Sequence, residues 1–170
     1  MIDSSFSKLA IIHGTNSFGE EFASRLKESA VKFNIATFVE ATPLGTSDFH
    51  TTISRSLKHH PDAVFIHQGE AEVLSFLRQL REAGASMPVY STYNVESEAF
   101  VQAGSVAEGL LYAYPINSSL NAPEKRAFDQ RFVERYGPKA LPSASSYYVY
   151  DGVLLLDRAF SSCIDLSPNC

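Results

Sequence analysis

Short apolar runs and amphipathic stretches alternate along residues 8–116. Lys8-Leu-Ala-Ile-Ile-His13 has the apolar, β-branched character of a strand. Gly14, Thr15, Asn16 and Ser17 close it with a turn glycine and side-chain oxygens suited to capping a helix. Over residues 18–33, Phe22, Leu26, Ala30 and Phe33 recur three or four apart, which predicts a helix with one apolar face. Residues 36–40 read as a second strand, ended by Pro43 and Gly45. Ser47 and Asp48 offer caps for a second helix carrying Phe49, Ile53 and Leu57, which His59, His60 and Pro61 bring to a stop. Ala63-Val-Phe-Ile-His67 shows no alternation, the mark of a strand buried on both faces. After the turn at Gln68, Gly69 and Glu70, a third helix carries Val73, Leu77 and Leu80 and stops at Gly84. Residues 88–91 give a fourth strand, residues 96–103 a short helix, and residues 109–114 a fifth strand that ends at Pro115.

This alternation predicts an α/β fold: a three-layer, Rossmann-like lobe whose five-stranded parallel sheet is covered on both faces by right-handed crossover helices. The last third of the chain departs from it. Residues 117–123 read as a linker or crossover. A helix with Phe128, Phe132 and Tyr136 on one face follows, stopped by Gly137 and Pro138. Ser143 to Ser146 then start a final helix with Val149, Val153, Leu156 and Phe160 on its expected core side. No strand separates these two helices. The chain is therefore divided into an α/β lobe, residues 1–116, and a crossing with two C-terminal helices, residues 117–170.

Composition narrows the function. The chain has 170 residues, enough for one domain, and 45% are apolar, which excludes intrinsic disorder. A formal net charge of −5 without any basic run argues against a nucleic-acid or anionic-membrane partner. Purely apolar stretches such as Val153 to Leu156 fall far short of the roughly 20 residues a bilayer requires. Residues 1–5 lack the basic start and apolar stretch of a secretory signal, which fits a cytoplasmic protein or a trimmed start. Cys163 and Cys170 fit either a local disulfide or two unrelated thiols.

In an open parallel sheet, ligands bind outside the carboxyl ends of the strands. Three loops lie there, and they supply the candidate ligand-binding residues. Asn16, Ser17 and Phe18 follow the first strand, Gln68, Gly69 and Glu70 the third, and Thr92 and Tyr93 the fourth. Hydroxyls, amides, two aromatic rings and a carboxylate suit a small polar ligand held by hydrogen bonds and a ring face. The loop at residues 14–19 has neither dinucleotide nor phosphate-loop spacing and no lysine, so no cofactor is expected. His13 and His67 both end strands on the ligand side, but no third donor stands at metal-ligand spacing, and His59-His60 reads as a helix end. No serine or cysteine sits in a nucleophile-elbow sequence, so no catalytic residue is expected. A small flavodoxin-like enzyme, with a phosphate at the first helix N-terminus, is the alternative from a different class.

Several segments together carry a family resemblance. They are the first strand with Asn16-Ser-Phe-Gly19, then Ser47-Asp-Phe49, Pro61-Asp-Ala-Val-Phe65 and residues 76–84 (FLRQLREAG). Gly104 with Ala107-Glu-Gly109, Phe128-Asp-Gln-Arg-Phe132 with Tyr136-Gly137, and Tyr150-Asp-Gly-Val153 complete the series. In order and spacing the chain resembles the second lobe of type I periplasmic substrate-binding proteins, in the leucine/isoleucine/valine-binding branch of ABC transporters. The resemblance implies that two lobes close over a ligand without performing chemistry and signal occupancy to an ABC permease or a signalling receptor. It places Phe18 where the family often has a cleft tyrosine, Gln68 to Glu70 on a ligand-contacting loop, and Tyr93 where amino-acid binders often carry an acid. An amino acid or another small polar organic molecule, an aromatic acid included, is the expected ligand. By the same resemblance the first lobe precedes this chain, the two final helices belong on that lobe, and the full-length protein is periplasmic or extracellular. Those helices would fold back or be exchanged between two copies in a homodimer.

Overall fold

The computed structural model describes residues 6–116 and 121–162. The chain separates into two compact units, Met1–Ala113 and Tyr114–Cys170.

The first unit follows the expected alternation. Its strands are β1 (Lys8–Gly14), β2 (Ala36–Thr42), β3 (Ala63–His67), β4 (Val89–Thr92) and β5 (Leu110–Ala113). Its helices are α1 (Ser17–Lys32), α2 (His50–Lys58), α3 (Glu70–Glu82) and the short α4 (Glu98–Gln102), with single 3-10 turns at Tyr93–Val95 and Gly104–Ala107. All strand pairings are parallel, in the order β2-β1-β3-β4-β5. The register pairs Ile11 with Phe65 and His13 with His67, so these side chains share a face.

The hand of the crossovers decides where the core lies. The step from β1 to β2 runs one way across the sheet, and every later step runs the other way. Right-handed crossing therefore puts α1 on one face and α2, α3 and α4 on the opposite face. The larger part of the core accordingly lies on the second face, with Ile11 of β1 and Ala23 and Ala30 of α1 buried on the first. Ala10, Ile12, Val64, Ile66 and Val89 from the strands pack with Phe49, Ile53, Val73, Phe76, Leu77 and Leu80 from α2, α3 and the loop before α2. Phe49 and Phe76 meet edge to face at 5.5 Å. Arg81, near the end of α3, donates to the carbonyls of Ala85, Met87 and Glu108, which ties the helix end to the entries of β4 and β5.

Helices flank the sheet on both faces, as expected, but unequally. On its own face α1 covers β1 and β2, and an apolar groove of about 230 Å³ runs beside it past Leu9, Phe65, Tyr90 and Ala113. Leu111 on β5 is half exposed. A single helix cannot span five strands spaced about 4.8 Å apart.

The start of α2 is also corrected. Neither Ser47 nor Asp48 caps it; the cap position is Phe49, whose side chain makes no capping bond. Asp48 instead accepts from the backbone N–H and Nδ1 of His50, and Gln79 of α3 takes the Phe49 N–H at 2.6 Å while donating to the Ser47 carbonyl. At the other end His59 stacks on Phe38 at 4.3 Å.

The second unit contains α5 (Pro123–Tyr136) and α6 (Ala144–Ser162). Phe128, Phe132 and Tyr136 form the expected ladder along α5. The face of α6 that meets it is not the aliphatic one. Val149, Val153, Leu156 and Phe160 are exposed, whereas Tyr147 and Tyr150 close on Phe128 at 5.1 and 4.5 Å. Hydrogen bonds select that face: Tyr147 donates to Asp129, itself paired with Lys125, and Arg131 donates to the Tyr150 hydroxyl. Cys163, Cys170 and most of the expected crossing at 117–120 lie outside the described residues. Among the described residues no helix is long and apolar enough to cross a membrane.

The unequal core sets a contrast between two substitutions. Phe76→Ala is expected to lower the free energy of unfolding by about 3–5 kcal/mol, whereas Leu111→Ser on the other face is expected to change it by about 0.5 kcal/mol or less. Urea titration of both variants checks it. Equal losses would show that both faces carry the core.

Candidate functional site

The direction of chain crossing reverses between β1 and β3, which leaves a crevice at the carboxyl ends of those two strands. Residue types at the strand ends then determine what the crevice offers. After β1, Asn16 caps α1 by accepting the Gly19 N–H at 2.7 Å. Gly19 must lack a side chain, because a Cβ there would lie 2.5 Å from the Gly14 carbonyl oxygen. This close approach brings the first turn of α1 down onto the strand end and leaves Phe18 exposed above it.

A polar layer lies beneath that ring. Gln68, buried at 4% exposure, reaches from the end of β3 across Gly14 and donates to both the carbonyl and the hydroxyl of Thr42 at the end of β2. Gly14 makes room for it: a Cβ there would stand 3.1 Å from Gln68 Oε1. Asn94, in the turn after β4, donates to the Gln68 carbonyl and accepts from Thr92 at 2.6 Å. Thr92 in turn faces His67 Nδ1 at 3.2 Å. Ser97, before α4, donates to Glu70 at 2.6 Å. The loops after β3 and β4 are thus cross-linked by their own side chains.

Aromatic rings frame this layer. Phe22 stacks on His67 at 4.9 Å and on Phe65 at 5.1 Å, and Phe18 tilts against His67 at 5.1 Å. Beside them a shallow depression along α1 is bounded by Phe18, Glu21, Phe22, Arg25, Leu26 and Ser29. His67 is half-buried there. Burial, and then the neighbouring His13, hold its imidazole below the ordinary histidine range. His13 is buried too, with Nδ1 placed 2.9 Å from the Gly14 carbonyl.

The eight candidate residues therefore occupy different positions. Phe18 and Tyr93 present exposed ring surface and Thr92 is half-buried beside His67. Asn16, Ser17, Gly69 and Glu70 are exposed at the helix starts, with Asn16 engaged as a cap and Glu70 engaged by Ser97. Gln68 lies inside the lobe, engaged with Thr42. Sequence reasoning left His13, His67, Phe22, Thr42 and Asn94 outside the candidate set. The signal for the histidine pair was present, since both end strands, but it becomes a pair only through the β1–β3 adjacency. Among the described residues no group of three or more histidine, cysteine or acidic side chains is placed to hold a metal.

This fold and strand-end crevice define a class of protein. A family profile described as periplasmic binding protein matches residues 2–169. The chain belongs to the periplasmic binding protein family. Among solved structures it is similar to the leucine binding protein LivK of Thermotoga maritima, with TM-score 0.85 and 18% identity over 92% of this chain and 45% of that one. It is similar to the branched-chain amino acid transporter substrate binding protein LivJ of Streptococcus pneumoniae, solved with isoleucine, with TM-score 0.79 and 18% identity over 96% and 47%. It also matches an ABC transporter solute binding protein of R. palustris, solved with benzoate, with TM-score 0.76 and 20% identity over 91% and 42%. The chain thus spans a little under half the length of these relatives. No curated protein sequence matches at a significant level.

The lowered His67 pKa fixes a sign. An unfolded histidine titrates near about 6.5, so on acidification the unfolded chain takes up protons before the folded one. The contribution of His67 to stability is complete above that value and is lost as the pH falls through the folded pKa. Asp48 and Asp62, held low by hydrogen bonds from His50 and from Ser7 and Lys8, lose their contributions only at still lower pH, near about 4 and below. Urea titrations stepped from neutral pH to about 5 are expected to show falling stability, with a flatter slope in His67→Phe, which keeps a stacking ring. An unchanged slope would remove His67 as its cause.

Proposed function

We propose that the chain is the ligand-binding second lobe, residues 1–116, with the adjoining crossing and helices, residues 117–170, of a two-lobed solute-binding protein of an ABC transporter. The helices belong to the companion lobe, and an amino acid or similar small polar organic molecule binds between the lobes without chemical change. The observation that carries this reading is the arrangement at the strand ends: an exposed Phe18 ring lies against His67, and a partly exposed Tyr93 follows β4, at a cross-linked polar layer with no lysine or arginine in the loops. The isoleucine and benzoate of the solved relatives are small organic molecules of the size such a ring surface accommodates. Coupling to a permease, and a periplasmic or extracellular location of the full-length protein, follow from this reading.

With half of the contacts missing, the chain alone is expected to bind L-leucine or benzoate only weakly, and a version extended by its companion lobe to bind at least about a hundredfold tighter, since the second set of contacts adds several kcal/mol. Phe18→Ala in that version is expected to weaken binding about tenfold, the loss of one ring contact. Calorimetry measures both. Tight binding by the chain alone, or an affinity indifferent to Phe18, would overturn the proposal.

The exposed Val149, Val153, Leu156 and Phe160 on α6 support a second element of the reading, pairing of two copies through their C-terminal helices. Light scattering on a size-exclusion column is expected to show a dimer that Val153→Ser with Phe160→Ser dissociates. A monomer at high concentration would count decisively against it.

A further inference from the structure

Hydrogen-bond direction determines where the protons of the strand-end histidines sit. The Asn94 amide nitrogen donates to the Gln68 carbonyl, so its Oδ1 is free to act only as an acceptor. Thr92 must therefore spend its hydroxyl proton on Asn94, and its oxygen receives the His67 Nδ1–H. At His13 the partner of Nδ1 is a backbone carbonyl, which can only accept, so Nδ1 again carries the proton. In their neutral forms both rings present a bare Nε2. Neither Nε2 has a partner among the described residues, and neither is enclosed. Only Glu40 Oε2 and Gln68 Oε1 are both buried and unpartnered there. The two rings are register partners on adjacent strands. They stand at the crossing reversal, beneath the exposed Phe18 ring.

We propose that His13 and His67 are the hydrogen-bond acceptors for a nitrogen donor of the ligand, an ammonium or amine group, in the strand-end crevice. The inference rests on the solute-binding reading and adds the chemical class the site selects. The three loops, His13–Gly19, His67–Ala71 and Ser91–Asn94, contain no lysine or arginine to neutralise a carboxylate. Their one acid, Glu70, is engaged by Ser97. An ammonium finds two ring-nitrogen acceptors and an aromatic face, a combination that attracts cations. The ionisable groups near His67 are His13 on β1, Glu21 and Arg25 beside the Phe18 and Phe22 rings on α1, Glu70 at the start of α3, and Tyr93 after β4. Of these only His13 shifts it, and it shifts it towards the neutral form that accepts.

The test works without the natural ligand in hand. Histidine ring-nitrogen NMR on the whole chain reads the tautomers directly. Both rings are expected to carry the proton on Nδ1 at neutral pH, and Thr92→Val is expected to release the preference at His67 alone. Backbone NMR titrations with L-leucine, isopentylamine and isocaproate then separate the two ends of one skeleton at millimolar sensitivity. The amine and leucine are expected to shift the strand-end loops and the His67 ring, with the acid weaker by about tenfold or more, the worth of a charge-assisted hydrogen bond. His67→Phe is expected to abolish that discrimination, and acidification to weaken the amine. A proton found on Nε2 in either ring, or binding of the acid in preference to the amine, would overturn the histidine inference while leaving the solute-binding reading in place. Correct tautomers with no response at the loops to any probe would also overturn the histidine inference, while calorimetry on the version extended by its companion lobe decides the solute-binding reading separately.

Discussion

A strand–helix–strand crossover in a parallel sheet has one hand, and much of this molecule follows from that constraint together with the direction in which the chain first turns. Because β2 lies on one side of β1 and all later strands lie on the other, α1 is alone on its face and the remaining helices share the opposite one. The dense core is then obliged to form under α2 and α3, around Phe49, Phe76 and Leu77. The same reversal separates the loop after β1 from the loop after β3 and leaves the crevice between them. One topological decision thus sets both the stable side of the lobe and the place where a ligand has room.

The crevice could fill with loop backbone, and the glycines show why it does not. Gly19 allows α1 to settle against the Gly14 carbonyl, and Gly14 gives the Gln68 side chain a path to Thr42. The strand ends β2, β1 and β3 are therefore locked by side chain to backbone as well as by the ladder. The cost is visible in the same place: Gln68 Oε1 is buried without a partner among the described residues. An unmet acceptor of this kind typically costs about 1–3 kcal/mol. The two bonds made by Gln68 Nε2 act against that loss, and they hold its carbonyl where Asn94 can use it.

How much of this was legible depended on whether the information was local. The Ala63–His67 strand and the Val73, Leu77 and Leu80 periodicity are local patterns, and the structure reproduces them at β3 and α3. The α2 start was misread because Asp48 has the chemistry of a cap but turns it to His50, while Gln79, thirty residues away, holds the Phe49 N–H. The aliphatic stripe of α6 is not the face that meets α5, because periodicity counts carbon and not hydrogen bonds. Tyr147 and Tyr150 have partners in Asp129 and Arg131 on α5, and the valines and leucines have none that position them. The histidine pair needs strand order and register, neither of which any single segment contains.

The division between what is buried and what is exposed at the strand ends has an energetic meaning. The ordering of Gln68, Thr92, Asn94 and His67 is accomplished when the lobe folds, since each is fixed by another member of the set. A ligand arriving there does not have to immobilise them, and binding does not lose the entropy that loose polar side chains would cost, about 0.5–1.5 kcal/mol for each. Phe18 stands over them as exposed ring surface, set by the first turn of α1 and touching His67. Covering that ring removes apolar area from water, a gain of roughly 25 cal/mol for each Å² covered, and it is available only to something that approaches from outside the lobe. Under the proposed function, the polar layer supplies orientation and the rings supply the driving force. On that reading, tuning the rings changes how tightly the proposed site holds a ligand, and tuning the layer changes what it holds.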